Sequence, residues 1–270
     1  MNHRLAGKII YVFVTVIFLS AIPVRSSAAV PPLSVIATKA QTTEHRQKVK
    51  KSSLSLSQLL HKYPDTIKTQ GPRVRSIALT FDDVPDPRFT PQLLDVLRRY
   101  HVKATFFVVG SRAEKHPGLV RRMIREGHAV GNHSYNHPQF TKIGINDFRR
   151  QIIRTEDIIQ RLGGYKPRFI RPPYGEISEG QLKWARSRGY QVVNWNVDSL
   201  DWRNLSKTQV KSNILTRAGK GAIILQHGGG GRGSNLRGSI QALPDVITLM
   251  RKRGYTFVTV PQLLKLPVEK

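Results

Sequence analysis

From residue 76 onward, short runs of apolar and β-branched residues alternate with longer stretches in which apolar positions recur every third or fourth place. The first pattern suits strands and the second amphipathic helices. Residues 76–81 read as a strand, after which Thr90 caps and Pro91 opens a helix carrying Leu93, Leu94 and Leu97. Residues 105–109 form a β-branched and aromatic strand, and 119–125 a helix that Gly127 closes. Strands over 128–131, 169–170, 191–194 and 222–225 are followed by helices over 145–162, 178–188, 206–218 and 240–253 respectively. A strand at 256–258 and a short helix from Pro261 complete seven βα units. Such a series builds a parallel sheet. Strand number and length predict an α/β fold of the distorted or incomplete (β/α)7 barrel type.

Before residue 76 the pattern changes. Arg4 and Lys8 precede an apolar run over 9–22, and Ser27-Ala28-Ala29 supplies small residues for a cleavage site, so 1–29 reads as a secretory signal peptide. The run is shorter than the roughly 20 residues that span a bilayer, which favours cleavage over an N-terminal membrane anchor. The protein is then expected to be extracytoplasmic, secreted or associated with the cell wall. Residues 30–72 are rich in Ser, Thr, Gln and Lys and read as a basic linker or stem, leaving 73–270 as the main domain.

Charge sharpens this picture. Lys and Arg outnumber Asp and Glu by 44 to 17, a net +27, which favours a polyanionic partner: nucleic acid, an anionic lipid surface or an acidic wall polymer. Nucleic acid is an odd partner for an exported protein, so anionic cell-wall polymers are the expected one, and the chain is expected to be a monomer. With no Cys available, any metal must be held by imidazole and carboxylate.

Such groups are present in a suggestive arrangement. Asp82 and Asp83 are adjacent carboxylates, and His133 and His137 are imidazoles four positions apart. Neighbouring side chains on a strand point to opposite faces, so the two carboxylates can serve one site only if the backbone turns there. Val84-Pro85-Asp86-Pro87 provides a turn. Further polar groups follow the predicted strands: Arg171 to Tyr174, Asp198 to Trp202, and Gln226 with His227. All lie at strand C-terminal ends, the face of a βα barrel where catalytic residues converge.

The set Thr80-Phe81-Asp82-Asp83, His133-Ser134-Tyr135-Asn136-His137, Arg171-Pro172-Pro173-Tyr174-Gly175, Asp198-Ser199-Leu200-Asp201-Trp202 and Leu225-Gln226-His227 resembles the five motifs of the polysaccharide deacetylases in order and spacing. This carbohydrate esterase family (family 4) includes the chitooligosaccharide deacetylases, and the resemblance runs over about residues 75–266. It implies a distorted βα barrel and metal-dependent removal of N-acetyl groups from hexosamine polymers, with an acetylated polysaccharide as substrate.

The resemblance makes Asp83, His133 and His137 the metal ligands. Zinc suits this donor set best, and cobalt, nickel or manganese would also be accepted. It makes Asp82 the general base, Arg171 the partner that orients that base, and His227 the general acid held and charged by Asp201. Tyr174 would contribute its backbone N–H to the oxyanion, and Trp202 and Leu225 would wall a pocket for the acetyl methyl. Asp198 reads as a loop brace, and His61, His101, His116 and His128 as structural or solvated. Two positions depart from the family pattern: Val84 stands where Gly is usual, and Gly228 where Asp is common, opening the run Gly228-Gly229-Gly230-Gly231 that reads as flexible. Two other functions remain open at this stage: an O-acetyl polysaccharide esterase of the acetylxylan type, and a catalytically silent wall-binding protein.

Overall fold

The computed structural model describes residues 54–270. The expected signal peptide, and the expected stem up to residue 53, lie outside the described residues.

Nine strands form the framework among the described residues: β1 Ile67–Lys68, β2 Ser76–Val84, β3 Thr105–Val108, β4 Ala129–Asn132, β5 Phe169–Ile170, β6 Gln191–Val193, β7 Val197–Asp198, β8 Ile223–His227 and β9 Thr256–Phe257. Every ladder between them is parallel, in the order β1-β6-β5-β4-β3-β2-β8-β7, with β9 paired to the start of β2. The order does not close, so the barrel is incomplete: β1 and β7 are its two edges. Seven of the nine strands match the seven βα units of the sequence pattern. β1 and β7 are the additions, each of two residues and too short to show any periodicity.

The helices are α1 Leu56–Lys62, α2 Thr90–Arg99, α3 Gly110–Lys115, α4 Pro117–Arg125, α5 Ile145–Gly163, α6 Glu179–Ser187, α7 Lys207–Leu215, α8 Arg237–Lys252 and α9 Val260–Leu264. Four of them start with one device, a Ser or Thr whose side chain caps the backbone three residues on while a Gln there reaches back: Ser55 with Gln58, Ser178 with Gln181, Ser206 with Gln209, and Thr259 with Gln262. α5 ends at Gly164 in the left-handed conformation, at φ 79°.

One boundary differs from the sequence reading. α1 and β1 fall within the segment assigned to the stem, yet Leu59 and Ile67 are buried and β1 pairs with β6. The folded unit therefore takes in residues before 73. A short capped helix and a two-residue strand are weak signals in a stretch otherwise rich in polar residues.

β2 runs through the middle and sorts the two sides of the wall. Ile77, Leu79 and Phe81 pack with Leu93, Leu94 and Leu97 of α2 and with Val246 and Ile247 of α8. Fully burying each such side chain contributes roughly 1.5–3 kcal/mol. The alternate positions belong to the barrel interior, where Ala78 packs with Phe107, Phe169, Val193 and Val260. By the same alternation, Thr80 and Asp82 face inward. Among the described residues, no helix is long and apolar enough to cross a membrane.

Candidate active site

At the end of β2 the alternation is broken at one residue. Phe81 pairs with Phe106 and Val84 with Val108, so three steps on β2 oppose two on β3. The extra residue makes a bulge, and Asp83 within it has φ 62°. This left-handed conformation costs an Asp less than most residues. The bulge is the turn that two adjacent carboxylates require: Asp82 keeps its inward place, while Asp83 comes to the mouth instead of entering the outer core.

Asp82 meets Arg171, which is fully buried. Arg171 donates to Asp82 Oδ1 at 2.9 Å, to Thr80 Oγ1 at 2.6 Å and to the carbonyls of Val193 and Asn194 at 3.1 Å each. Its guanidinium also lies 4.2 Å from the centre of the Phe107 ring. Burial pushes the Asp82 carboxyl above its ordinary range, while Arg171 and then His227 oppose that shift. A carboxylate so placed accepts a proton more readily than one in water.

His133 and His137 lie on the loop after β4, and side chains hold that loop by its backbone. Asn132 Oδ1 accepts from Ser134 N at 2.9 Å, Gln151 Oε1 from Tyr135 N and Asn136 N at 2.9 and 3.0 Å, and Ser134 Oγ from His137 N at 3.0 Å. His133 Nδ1 bonds the Arg171 carbonyl at 2.7 Å, which leaves Nε2 directed at the carboxylates. Burial and then the neighbouring His137 lower the His133 pKa to about 3, so the ring is neutral and able to bind a cation. Asp83 Oδ1 is 3.2 Å from His137 Nε2 and 3.7 Å from His133 Nε2. One ligand atom from each of Asp83, His133 and His137 lies within 4.8 Å of the others. Two imidazoles and one carboxylate fit a divalent ion with coordination positions left open.

Across the mouth, His227 Nδ1 sits 2.8 Å from Asp201 Oδ1, and the other Asp201 oxygen accepts from His227 N and Ser239 Oγ at 2.9 and 2.8 Å. Burial works against charge on His227, but Asp201, with Asp82 and Asp83 behind it, raises its pKa to about 9. Asp198 accepts from Leu200 N at 2.8 Å and so braces its loop, as the sequence suggests. His128 is buried, with a pKa lowered to about 4 mainly by burial, and accepts from Ala104 N, a structural role away from the mouth.

Asp82, Asp83, His133, His137, Asp198 and His227 line one cavity of about 610 Å³. Leu225 and Trp202 form part of its wall, Leu225 buried and Trp202 54% exposed, too open for ordinary core packing. Tyr174 lies at the rim with φ 60°, its ring 5.0 Å from that of His137. Sequence reasoning missed Arg112, Trp195, Ser234 and Leu236, which also line the cavity. Nothing in their immediate spacing marks them.

Gly228, Gly229 and Gly230 are packed, contrary to the flexible segment expected, while Gly231 is exposed. Gly228 N–H donates to the Asp82 carbonyl at 2.9 Å, and Thr90 Oγ1 donates to the Gly228 carbonyl at 2.8 Å. Arg88 and Arg112 both donate to the Gly230 carbonyl at 3.0 Å, and buried Asp86 pairs with both arginines. A Cβ on Gly229 would lie 2.1 Å from the Asp83 carbonyl oxygen, and one on Gly228 2.5 Å from Val84 Cγ1. The two departures from the family pattern are therefore complementary. Val84 fills the space that a side chain at 228 would need.

A family model for polysaccharide deacetylase matches residues 69–193. Peptidoglycan-N-acetylglucosamine deacetylase of Bacillus cereus is 47% identical over 194 residues, covering 72% of this chain and 70% of that protein. The chain belongs to the polysaccharide deacetylase family. This deacetylase is also 40% identical over 199 residues to peptidoglycan-N-acetylmuramic acid deacetylase PdaC of Bacillus subtilis, covering 73% of this chain and 40% of that protein's length. The crystal structure of the Bc1960 peptidoglycan N-acetylglucosamine deacetylase matches with a TM-score of 0.76 at 43% identity, covering 78% of this chain and 100% of that one. BA3943 of Bacillus anthracis, described as a CE4 family pseudoenzyme, matches with a TM-score of 0.69 at 26% identity, covering 74% of this chain and 69% of that one. The fold thus hosts both deacetylases and a pseudoenzyme. The difference between them has to be sought in the site, not in the framework.

Proposed function

We propose that this polysaccharide deacetylase is exported and hydrolyses N-acetyl groups of N-acetylglucosamine or N-acetylmuramic acid in peptidoglycan or chitin-like oligomers. The observation that carries the reading is that Asp82, held by buried Arg171, and His227, held by buried Asp201, line the same cavity as the Asp83, His133 and His137 group. Those three residues would hold a divalent metal, zinc first by the chemistry of the donors. When bound, it supplies Lewis-acid polarisation of the amide carbonyl and lowers the pKa of an attacking water.

The protein's own residues do the rest. Asp82, oriented by Arg171, takes the proton of the attacking water. The Tyr174 N–H, on a segment stiffened by Pro172 and Pro173, donates to the oxyanion of the tetrahedral species. His227 delivers a proton to the departing amine, and Asp201 keeps it charged until then. Trp202 and Leu225 enclose the acetyl methyl.

Acetate release from peptidoglycan, N-acetylated chitin oligomers and acetylxylan tests this reading. Release from the N-acetylated glycans that a chelator abolishes and added metal restores is expected. Release from acetylxylan alone would make the protein an O-acetyl esterase, and no release from any glycan by metal-loaded protein would make it a silent wall binder.

A further inference from the structure

The two ends of the strands carry very different charge. Four segments lead into neighbouring strands at the end away from the cavity: 73–75 before β2, 98–103 before β3, 217–220 before β8 and 251–253 before β9. β3, β8 and β9 all pair with β2, so these segments lie side by side. Together they hold ten Lys and Arg, all exposed, and no Asp or Glu. The segments that leave β2, β3 and β8 toward the cavity, 83–89, 109–115 and 228–236, hold four Lys and Arg against three Asp and Glu, a net +1. From Ser76 to Asp83, β2 separates the two ends by about 23 Å at roughly 3.3 Å per residue.

Hydrogen bonds join the basic segments into one patch. Arg75 donates to the Arg253 carbonyl at 3.2 Å, Arg251 to the Tyr100 carbonyl at 2.8 Å and Arg253 to the Leu215 carbonyl at 2.7 Å. Among the described residues, only Arg98 of the ten has a carboxylate partner, Asp95 at 3.3 Å. Helix C-termini attract cations, which accounts for Arg98, Arg99 and residues 251–253. Arg73, Arg75, Lys103, Arg217 and Lys220 lie outside any helix and need another reason.

Apolar side chains are interleaved with the charges. Val74, between Arg73 and Arg75, is 48% exposed, and Leu249, one turn before Arg253, is 37% exposed. We infer that this face docks on an anionic phospholipid surface, with the catalytic cavity turned away from the bilayer. Lipid phosphates take the Arg and Lys, and the headgroup boundary takes Val74 and Leu249. A phosphate-bearing polymer would answer the charges alone and leave the two apolar groups in water.

The test uses the full chain, whose residues 1–53 are the same in every variant. Binding is measured to vesicles of phosphatidylglycerol and phosphatidylcholine, and to phosphatidylcholine alone, at fixed salt. Arg73, Arg99 and Lys252 make no side-chain hydrogen bond among the described residues, so a triple change to Gln leaves the fold intact, as its Tm checks. Each cation near an anionic membrane strengthens binding about fivefold, so the triple variant should bind the anionic vesicles roughly a hundredfold more weakly. Lys115→Gln with Arg232→Gln, at the other end, should change binding less than threefold, and Val74→Ser should weaken it. Equal binding by the triple variant and the unaltered chain would overturn the inference, as would equal binding to both vesicle types. Retention on purified anionic wall polymer with no vesicle binding would overturn it too, and would assign the patch to the polymer.

Discussion

At the cavity end of the barrel, charged groups are matched around buried carboxylates: Asp82 with Arg171, Asp201 with His227, and Asp86 with Arg88 and Arg112. At the opposite end they are exposed, almost all positive and mostly without carboxylate partners among the described residues. Both ends belong to the same strands, so the fold alone does not dictate the difference. Burial strengthens each interaction and shifts proton affinities, which chemistry needs, and also makes loss of any partner costly. Exposure leaves each charge weak and replaceable, which suits a broad, additive attraction.

The widest gap between the ends should appear in stability. Arg171→Met strands Asp82 in the barrel interior and should cost about 3–5 kcal/mol in denaturant unfolding. Arg99→Met, on the exposed face, should change stability by less than about 0.5 kcal/mol. Similar losses at both sites would erase the distinction.

Backbone packing gives the next contrast. Gly229→Ala drives a Cβ against the Asp83 carbonyl and should lower acetate release on the order of 10²-fold, with weaker metal uptake, because misplacement near 1 Å is enough. Gly118→Ala, which meets nothing within 4 Å, should leave both unchanged. A tolerated Gly229→Ala would mean that the glycine run yields more easily than its hydrogen bonds imply.

These positions show what the sequence could and could not reveal. The strand-end location of Asp82, His133, Arg171 and His227 was legible because parallel βα units put such residues on one face. The separate placing of Asp82 and Asp83 was legible as a requirement, but its means was not: the bulge is a matter of register with β3, which no local pattern encodes. The complementarity of Val84 and Gly228 joins residues 144 positions apart and appears only once β2 and β8 lie together. Arg112 was missed for the same reason, since its partners Asp86 and Gly230 come from other segments. α1 and β1 were hidden by the polar residues around them.

A smaller effect concerns pH. In its proposed role as the acid His227 must be protonated, so activity should be present below its pKa of about 9 and lost as pH rises through it. Asp201→Asn removes the leading opposite charge, and the alkaline limb of kcat/KM should move to lower pH. An unmoved limb would assign that titration to another group. Smallest of all, Gln151→Ala frees the two amides between the histidines and should weaken metal binding about tenfold, whereas Lys252→Gln should not alter it.

The central claim is that adjacent carboxylates have separate tasks, Asp83 holding the metal and Asp82 moving the proton. Metal content and acetate release, measured together on Asp82→Asn and Asp83→Asn, test it most directly. The account predicts that Asp82→Asn keeps its metal and loses activity by about 10²–10⁴-fold, while Asp83→Asn loses the metal. An Asp82→Asn protein that loses its metal, or keeps its activity, would contradict it.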